Sequence, residues 1–175
     1  MNYFDLFNLP FDYNIDVAEL SSKYRDLQRA VHPDKFANAP ERDRLYAVQK
    51  TAEINDAFQT LKHPLKRAEY MLAEKGVDIR GEQQTIQDPE FLMEQMELRE
   101  HLEDIPHSDD PEDAIFDFDN EIKTTIRHYT DELKPLLTAT CELKLADAAN
   151  WVRKLKFMYK LRDELTRLED KLLDD

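Results

Sequence analysis

Apolar residues recur along this chain at intervals of three and four, the spacing of one helix face. From Asp16 to Val31, Leu20, Tyr24, Leu27 and Val31 share a face, while Arg25 and Arg29 fall opposite with Ser22 between them. A helix from about Pro40 to Lys62 carries Ala47, Ile54, Phe58 and Leu61 as its core stripe, and another runs from Pro64 to Lys75. Ahead of them, Tyr3-Phe4-Asp5-Leu6-Phe7 reads as a short apolar helix or turn. Between the first two long patterns stands Val31-His32-Pro33-Asp34-Lys35. Pro33 fixes its own φ and pushes His32 out of the helical region, so the chain must stop its helix there and turn. Two long helices flanking a short stiff loop predict an antiparallel pair.

The second half predicts three more helices. Asp88-Pro89-Glu90 and Asp110-Pro111-Glu112 each read as N-cap, first helical residue and an acid favoured by the helix dipole. In the helix from Asp88 to Ile105, Phe91, Leu98, Leu102 and Ile105 lie within about 40° of one another, an ordinary core stripe. Leu92, Met96 and Met93 fall on the far side, among Glu97, Glu100, Glu103 and Asp104. An apolar centre rimmed with charge has the character of a binding patch, and methionine suits an adaptable one. The competing reading is a sandwiched helix whose second face is covered by residues 1–75, which would place four carboxylates at the edge of a buried seam at a cost. The next pattern places Ile115, Phe118, Ile122, Ile126, Tyr129, Leu133, Leu136 and Leu137 on one face. It keeps its phase across Pro135, which predicts a long helix kinked there, with a break and a new helix as the alternative. The last helix begins near Leu145 and carries Trp151, Leu155, Met158, Leu161, Leu165, Leu168 and Leu172, with Phe157 at the flank of that stripe and Lys154, Lys156 and Lys160 around it.

Composition agrees with an all-α fold. The only glycines among 175 residues are Gly76 and Gly81, too few for a turn-rich β architecture. Both lie just past an expected helix end, which places a boundary there: a first module over 1–75, a linker over 76–87 and a helical bundle over 88–175. Residues 1–75 hold eleven Lys/Arg and twelve Asp/Glu, whereas 76–175 hold thirteen and twenty-six. So acidic a surface argues against nucleic acid as a partner. The single cysteine, Cys141, excludes an internal disulfide and any metal site built from several thiolates of this chain. The start, MNYFDLFNLP, has no basic region followed by an apolar run, and no apolar stretch approaches ~18 residues. A cytoplasmic protein without a membrane segment is expected.

The first module resembles a J domain. The resemblance rests on Tyr3-Phe4-Asp5-Leu6-Phe7, Tyr24-Arg25-Asp26-Leu27, His32-Pro33-Asp34-Lys35, Ile54-Asn55-Asp56-Ala57-Phe58-Gln59-Thr60-Leu61 and Arg67-Ala68-Glu69-Tyr70, in that order. It implies that the His-Pro-Asp loop and the basic outer face of the second helix engage a heat-shock ATPase of the DnaK class and stimulate its ATP hydrolysis. The residues themselves suit such a role. Arg25 and Arg29 would form a cationic patch that steers an acidic partner, and Asp34 can accept a charge-assisted bond from a partner arginine. In the second module, Phe91-Leu92-Met93-Glu94-Gln95-Met96-Glu97-Leu98-Arg99-Glu100 and Val152-Arg153-Lys154-Leu155-Lys156-Phe157 resemble the carboxy-terminal domain of the HscB family, the J-domain co-chaperones of bacterial iron–sulfur cluster assembly.

That family resemblance implies a bundle that binds the cluster scaffold protein IscU and a J domain that delivers it to the chaperone HscA. It assigns scaffold contact to Leu92, Met93, Met96, Glu97, Glu100, Asp104 and Phe157, with methionine at 96 where the family has leucine. It assigns chaperone contact to His32, Pro33, Asp34, Lys35, Arg25 and Arg29. The cysteine-rich extension of some eukaryotic relatives has no counterpart, so the resemblance implies no zinc site. The expectation is an adaptor, not an enzyme, with no cofactor and no metal. A J protein of the same fold serving another client through its acidic bundle is the nearest alternative. A hydrolase using His32 and Asp34 lacks a nucleophile set, a Gly-rich phosphate loop and HExxH spacing, and Cys141 has only His128 thirteen residues away. No EF-hand-like spacing occurs among the carboxylates.

Overall fold

The computed structural model describes residues 1–82 and 88–174. The part of the expected linker over 83–87 lies outside the described residues. The chain divides into two units, Met1–Asp78 and Ile79–Asp175, and among the described residues all regular structure is helical.

In the first unit, α1 (Tyr3–Leu6), α2 (Val17–Val31), α3 (Glu41–Lys62) and α4 (Pro64–Glu74) appear where the periodicity puts them. Asp16 caps α2 by accepting the N–H groups of Ala18 and Glu19. Helices α2 and α3 pack against each other, and α1 and α4 pack on α3. Leu20, Ile54, Ala57, Leu61, Phe4, Phe7 and Met71 are fully buried between them. Tyr24 stacks on Phe58 with centroids 4.0 Å apart, and its hydroxyl donates to Asn55 at 2.6 Å. These contacts give part of the J-domain pattern a structural meaning. Arg67 is buried, donates to the carbonyls of Leu61 at 2.8 Å and Tyr13 at 2.9 Å, and lies over the Tyr13 ring. Tyr70 stacks on Tyr3, and its hydroxyl oxygen accepts the Tyr3 N–H at 2.7 Å. Burial pushes the Tyr70 phenol up to about 12. Gly76 takes φ +92° past the end of α4, where a residue with a Cβ is strained.

The second unit contains α5 (Pro89–Asp104), α6 (Pro111–Leu133) and α7 (Glu142–Leu173). Asp88 and Asp110 cap α5 and α6 through their carboxylates, each followed by proline at the first helical position. Phe118, Ile122, Leu133, Leu137, Ala148, Val152, Met158 and Leu161 form the buried seam of the α6–α7 pair. The kinked continuous helix expected across Pro135 is not what forms. Helix α6 ends at Leu133, a 3₁₀ turn runs over Lys134–Leu136, and α7 starts only at Glu142. Pro135 has no N–H to close the helical bond and crowds the preceding turn, so the chain tightens and stops. Leu137 is fully buried all the same, because the turn carries it to the seam. Helix α5 leans on this pair through Phe91 and Leu98, and Ile105 in the 3₁₀ turn that follows it is buried as well. Its outer ties are the Tyr129 hydroxyl donating to Glu94 at 2.9 Å and the Arg99–Glu164 ion pair. Burial, aided by the Glu94 carboxylate, pushes the Tyr129 phenol well above the ordinary tyrosine range.

Candidate functional site

Two surfaces carry the residues singled out above, one in each unit. In the first unit the His-Pro-Asp segment is held rigidly from both sides. His32 ends α2 with φ −55° and ψ 130°, and Pro33–Phe36 form a 3₁₀ turn directly after it. The imidazole Nδ1 accepts the Asp34 N–H at 3.2 Å, and the Lys35 N–H donates to the His32 carbonyl at 3.0 Å. From behind, the Thr51 hydroxyl lies 2.8 Å from the Ala47 carbonyl and 3.4 Å from that of Val31, tying α3 to the last residue of α2.

Capping and display are therefore the same geometry here. With Nδ1 engaged as an acceptor, a neutral His32 carries its proton on Nε2. That N–H sits on a side chain 49% exposed, and the Asp34 side chain is 93% exposed, its Oδ2 3.6 Å from Nδ1. Gln28, Arg29, His32, Asp34 and Lys35 line one shallow depression at the end of α2. Gln28 belongs with them although nothing singled it out. Its signal was its place one turn before His32 on a helix whose end was already known. Arg25, one turn before Arg29, is exposed and has no ion-pair partner among the described residues. Arg29 differs, because Asp26 three residues earlier pairs with it in full solvent exposure. The cationic patch is accordingly narrower than the arginine count suggests.

In the second unit, the two-faced pattern of α5 becomes a division between core and surface. Phe91 and Leu98 are buried, whereas Leu92, Met93 and Met96 are 37%, 64% and 71% exposed. Glu97, Glu100, Glu103 and Asp104 are exposed around them. Among the described residues none of these four carboxylates has a cation partner. Phe157 comes from α7 and is half-buried, its ring meeting Phe91 edge-to-face at 5.8 Å. The Arg99 guanidinium lies over the same ring, 5.4 Å from its centroid. Arg99 and Leu92 are seven residues apart and so share a side of α5, which sets Phe157 at the border of the exposed apolar group. Sequence reasoning did not assign Arg99 a part in this arrangement. Cys141 is exposed at the start of α7 while His128 packs beside Tyr129 and Trp151. Among the described residues no cluster of metal-ligating side chains occurs, and no helix is long and apolar enough to cross a membrane.

Residues 2–70 match the DnaJ domain, and residues 87–166 match the HSCB C-terminal oligomerisation domain. The co-chaperone protein HscB homolog of Vibrio campbellii is 57% identical over 173 residues, 99% of each chain. The chain belongs to the HscB co-chaperone family. The HscB homolog of Photobacterium profundum is 56% identical over 174 residues, covering 99% of this chain and 100% of that one. Among solved structures, chaperone HscB from Vibrio cholerae is similar with a TM-score of 0.87 at 50% identity, with 98% of this chain and 99% of that chain covered. Human co-chaperone HscB gives 0.85 at 25% identity, over 97% of this chain and 82% of that one. The all-α fold, with an amino-terminal J domain and a carboxy-terminal HscB bundle, is thus shared with relatives along nearly the full length. Like them, this HscB-family chain is a co-chaperone. The buried Arg67 and the Tyr3–Tyr70 stack hold its J domain together, and His32 and Asp34 stay displayed at the end of α2.

Proposed function

We propose that the chain couples an iron–sulfur scaffold protein of the IscU type to a DnaK-class ATPase of the HscA type, in the cytoplasm, and catalyses nothing itself. The bundle takes the scaffold on Leu92, Met93, Met96 and Phe157, with Glu97, Glu100 and Asp104 contacting a basic rim of that partner. The J domain presents His32, Pro33, Asp34 and Lys35, flanked by Arg25 and Arg29, to the ATPase. Delivery of the scaffold then coincides with stimulated ATP hydrolysis, which favours cluster transfer to recipient proteins.

The observation that carries the reading is the split character of α5. One face is sealed in the bundle, and the other exposes three large apolar side chains ringed by unpaired carboxylates. Such a surface is costly to leave in water unless a partner covers it. The test is a steady-state ATPase assay with purified HscA-type chaperone. The chain alone should accelerate hydrolysis, and chain with scaffold should accelerate it further. A scaffold that adds nothing, together with no binding in titration, would favour another client for the same fold.

Electrostatic steering gives a second expected result. Arg25→Ala should weaken the chaperone interaction several-fold at low salt and less at high salt, because exposed charges act over a Debye length of about 10 Å at 0.1 M. Arg29→Ala should do less than Arg25→Ala, since Asp26 already offsets its charge. Equal, salt-independent losses in surface-binding measurements would count against steering.

A further inference from the structure

We infer that the Arg99–Glu164 pair is a positioning device that sets Phe157 of α7 against α5, so that one continuous apolar surface reaches the partner. The inference rests on the scaffold-binding reading of α5. Three of its four apolar members sit on one helix, whose geometry alone fixes their spacing. The fourth, Phe157, belongs to a helix that begins 53 residues after α5 begins. Its relation to Leu92 and Met96 depends on how α5 lies on α7.

Two contacts fix that relation at Phe157 itself. Phe91 meets the ring edge-to-face at 5.8 Å from inside the seam. From outside, the Arg99 guanidinium covers the ring while donating to the Glu164 carboxylate. Phe157 and Glu164 are seven residues apart and therefore stand on one side of α7, two turns from each other. Arg99 spans both, binding charge at one end and lying over the ring beside it. A planar guanidinium donates along its edge while its face lies over the ring, a fixed fork geometry that a lysine ammonium lacks. The pair is only partly exposed, with side chains 37% and 24% accessible, so salt and water screen it less than a surface pair.

Glu103 stands four residues after Arg99 on α5 and is exposed without a cation partner. If Glu164 loses its charge, Arg99 is drawn to Glu103 within its own helix. The ring of Phe157 then loses its outer cover, and the acidic rim gains a positive charge at its edge. Both changes weaken a surface built for an apolar, basic-rimmed partner. Glu164 thus acts on the surface through Arg99 and Phe157.

The test is a double-mutant cycle on the full chain, read by calorimetric titration into purified IscU-type scaffold. Glu164→Gln should weaken binding about fivefold in the native background and less than about twofold when Phe157 is already alanine. Glu164→Asp keeps the carboxylate and should retain most of the affinity. Should Glu164→Gln fail to fold, Arg99→Gln replaces it, with the same comparison in the two backgrounds. Equal losses with and without Phe157, or no loss at all, would overturn the inference. A native chain that binds no scaffold would overturn the reading beneath it. The geometry is then judged separately by NMR, where the Arg99 side-chain resonances should carry a ring-current shift that Phe157→Ala and Glu164→Gln both abolish. Absence of that shift in the native chain sinks the positioning role whatever the scaffold does.

Discussion

Replacing His32 by glutamine is expected to bring stimulation of an HscA-type ATPase down to the unstimulated rate while scaffold binding stays at its native strength. The expectation follows from what the two imidazole nitrogens do. Nδ1 is engaged inside the loop by the Asp34 N–H, and Nε2–H belongs to a side chain that is 49% exposed. Glutamine can imitate one of these functions at a time, since its amide is carried one bond further from Cβ than Nδ1 is in the ring, so its oxygen and nitrogen cannot stand in both places at once. If the oxygen caps the turn, the nitrogen no longer reaches the position of Nε2. Loss of the cap itself is a smaller matter, costing about 1 kcal/mol and moving the melting temperature by about 5 °C or less.

An internal control separates the two effects. His63-Pro64 repeats the arrangement at the start of α4, with Nδ1 of His63 accepting the Leu65 N–H at 3.2 Å. His63→Gln should lower the melting temperature by a similar amount and leave ATPase stimulation intact. If both variants lost stimulation in proportion to their stability, His32 would be a cap and nothing more. A melting curve and a steady-state ATPase assay on the same two proteins decide between these outcomes.

The repeat also marks where sequence reasoning was strong. Proline after histidine announces that a helix must stop or start there, so the end of α2, the loop and the start of α4 could be placed from local chemistry. The caps at Asp88 and Asp110 were legible for the same reason, each standing before a proline. So was the second apolar face of α5, which shows in its periodicity, while the carboxylates around it favoured an exposed patch over a buried seam. The pairing of Arg29 with Asp26 was equally local, three residues apart on α2, and counting arginines without their i−3 neighbours overstated the patch.

What could not be read were distances between elements far apart in sequence. A stripe that keeps phase through Pro135 predicts burial, and Leu137 is buried, but phase says nothing about whether the backbone remains helical in between. Likewise the flank position of Phe157 was visible on its own helix, whereas its meeting with Phe91 and Arg99 depends on the packing of α7 on α5. Tyr129–Glu94 and Arg99–Glu164 are side-chain pairs that only the tertiary fold selects from dozens of possible partners in a chain with 38 acidic residues.

That packing matters for the second large effect. Leu92→Ala combined with Phe157→Ala is expected to weaken scaffold binding by at least about thirtyfold, since truncating two central apolar anchors of an interface removes roughly 2 kcal/mol or more. Stimulation of the ATPase by the chain alone should persist, because the residues proposed for it belong to the other unit. Phe157 is half-buried, so the double variant loses some bundle stability as well, and binding loss alone would be ambiguous. Met93→Ala with Met96→Ala resolves this. Those side chains are 64% and 71% exposed, make little packing to lose, and should leave the melting temperature within about 2 °C of native. Titration of both double variants against the scaffold then discriminates. If only the Leu92/Phe157 variant binds poorly, the defect is a damaged bundle, and the exposed methionines serve no partner of this kind. If both lose affinity while the methionine variant melts as the native chain does, the apolar face of α5 is acting as a surface. Its association rate should then fall with added salt, because the four unpaired carboxylates around it steer whatever docks there.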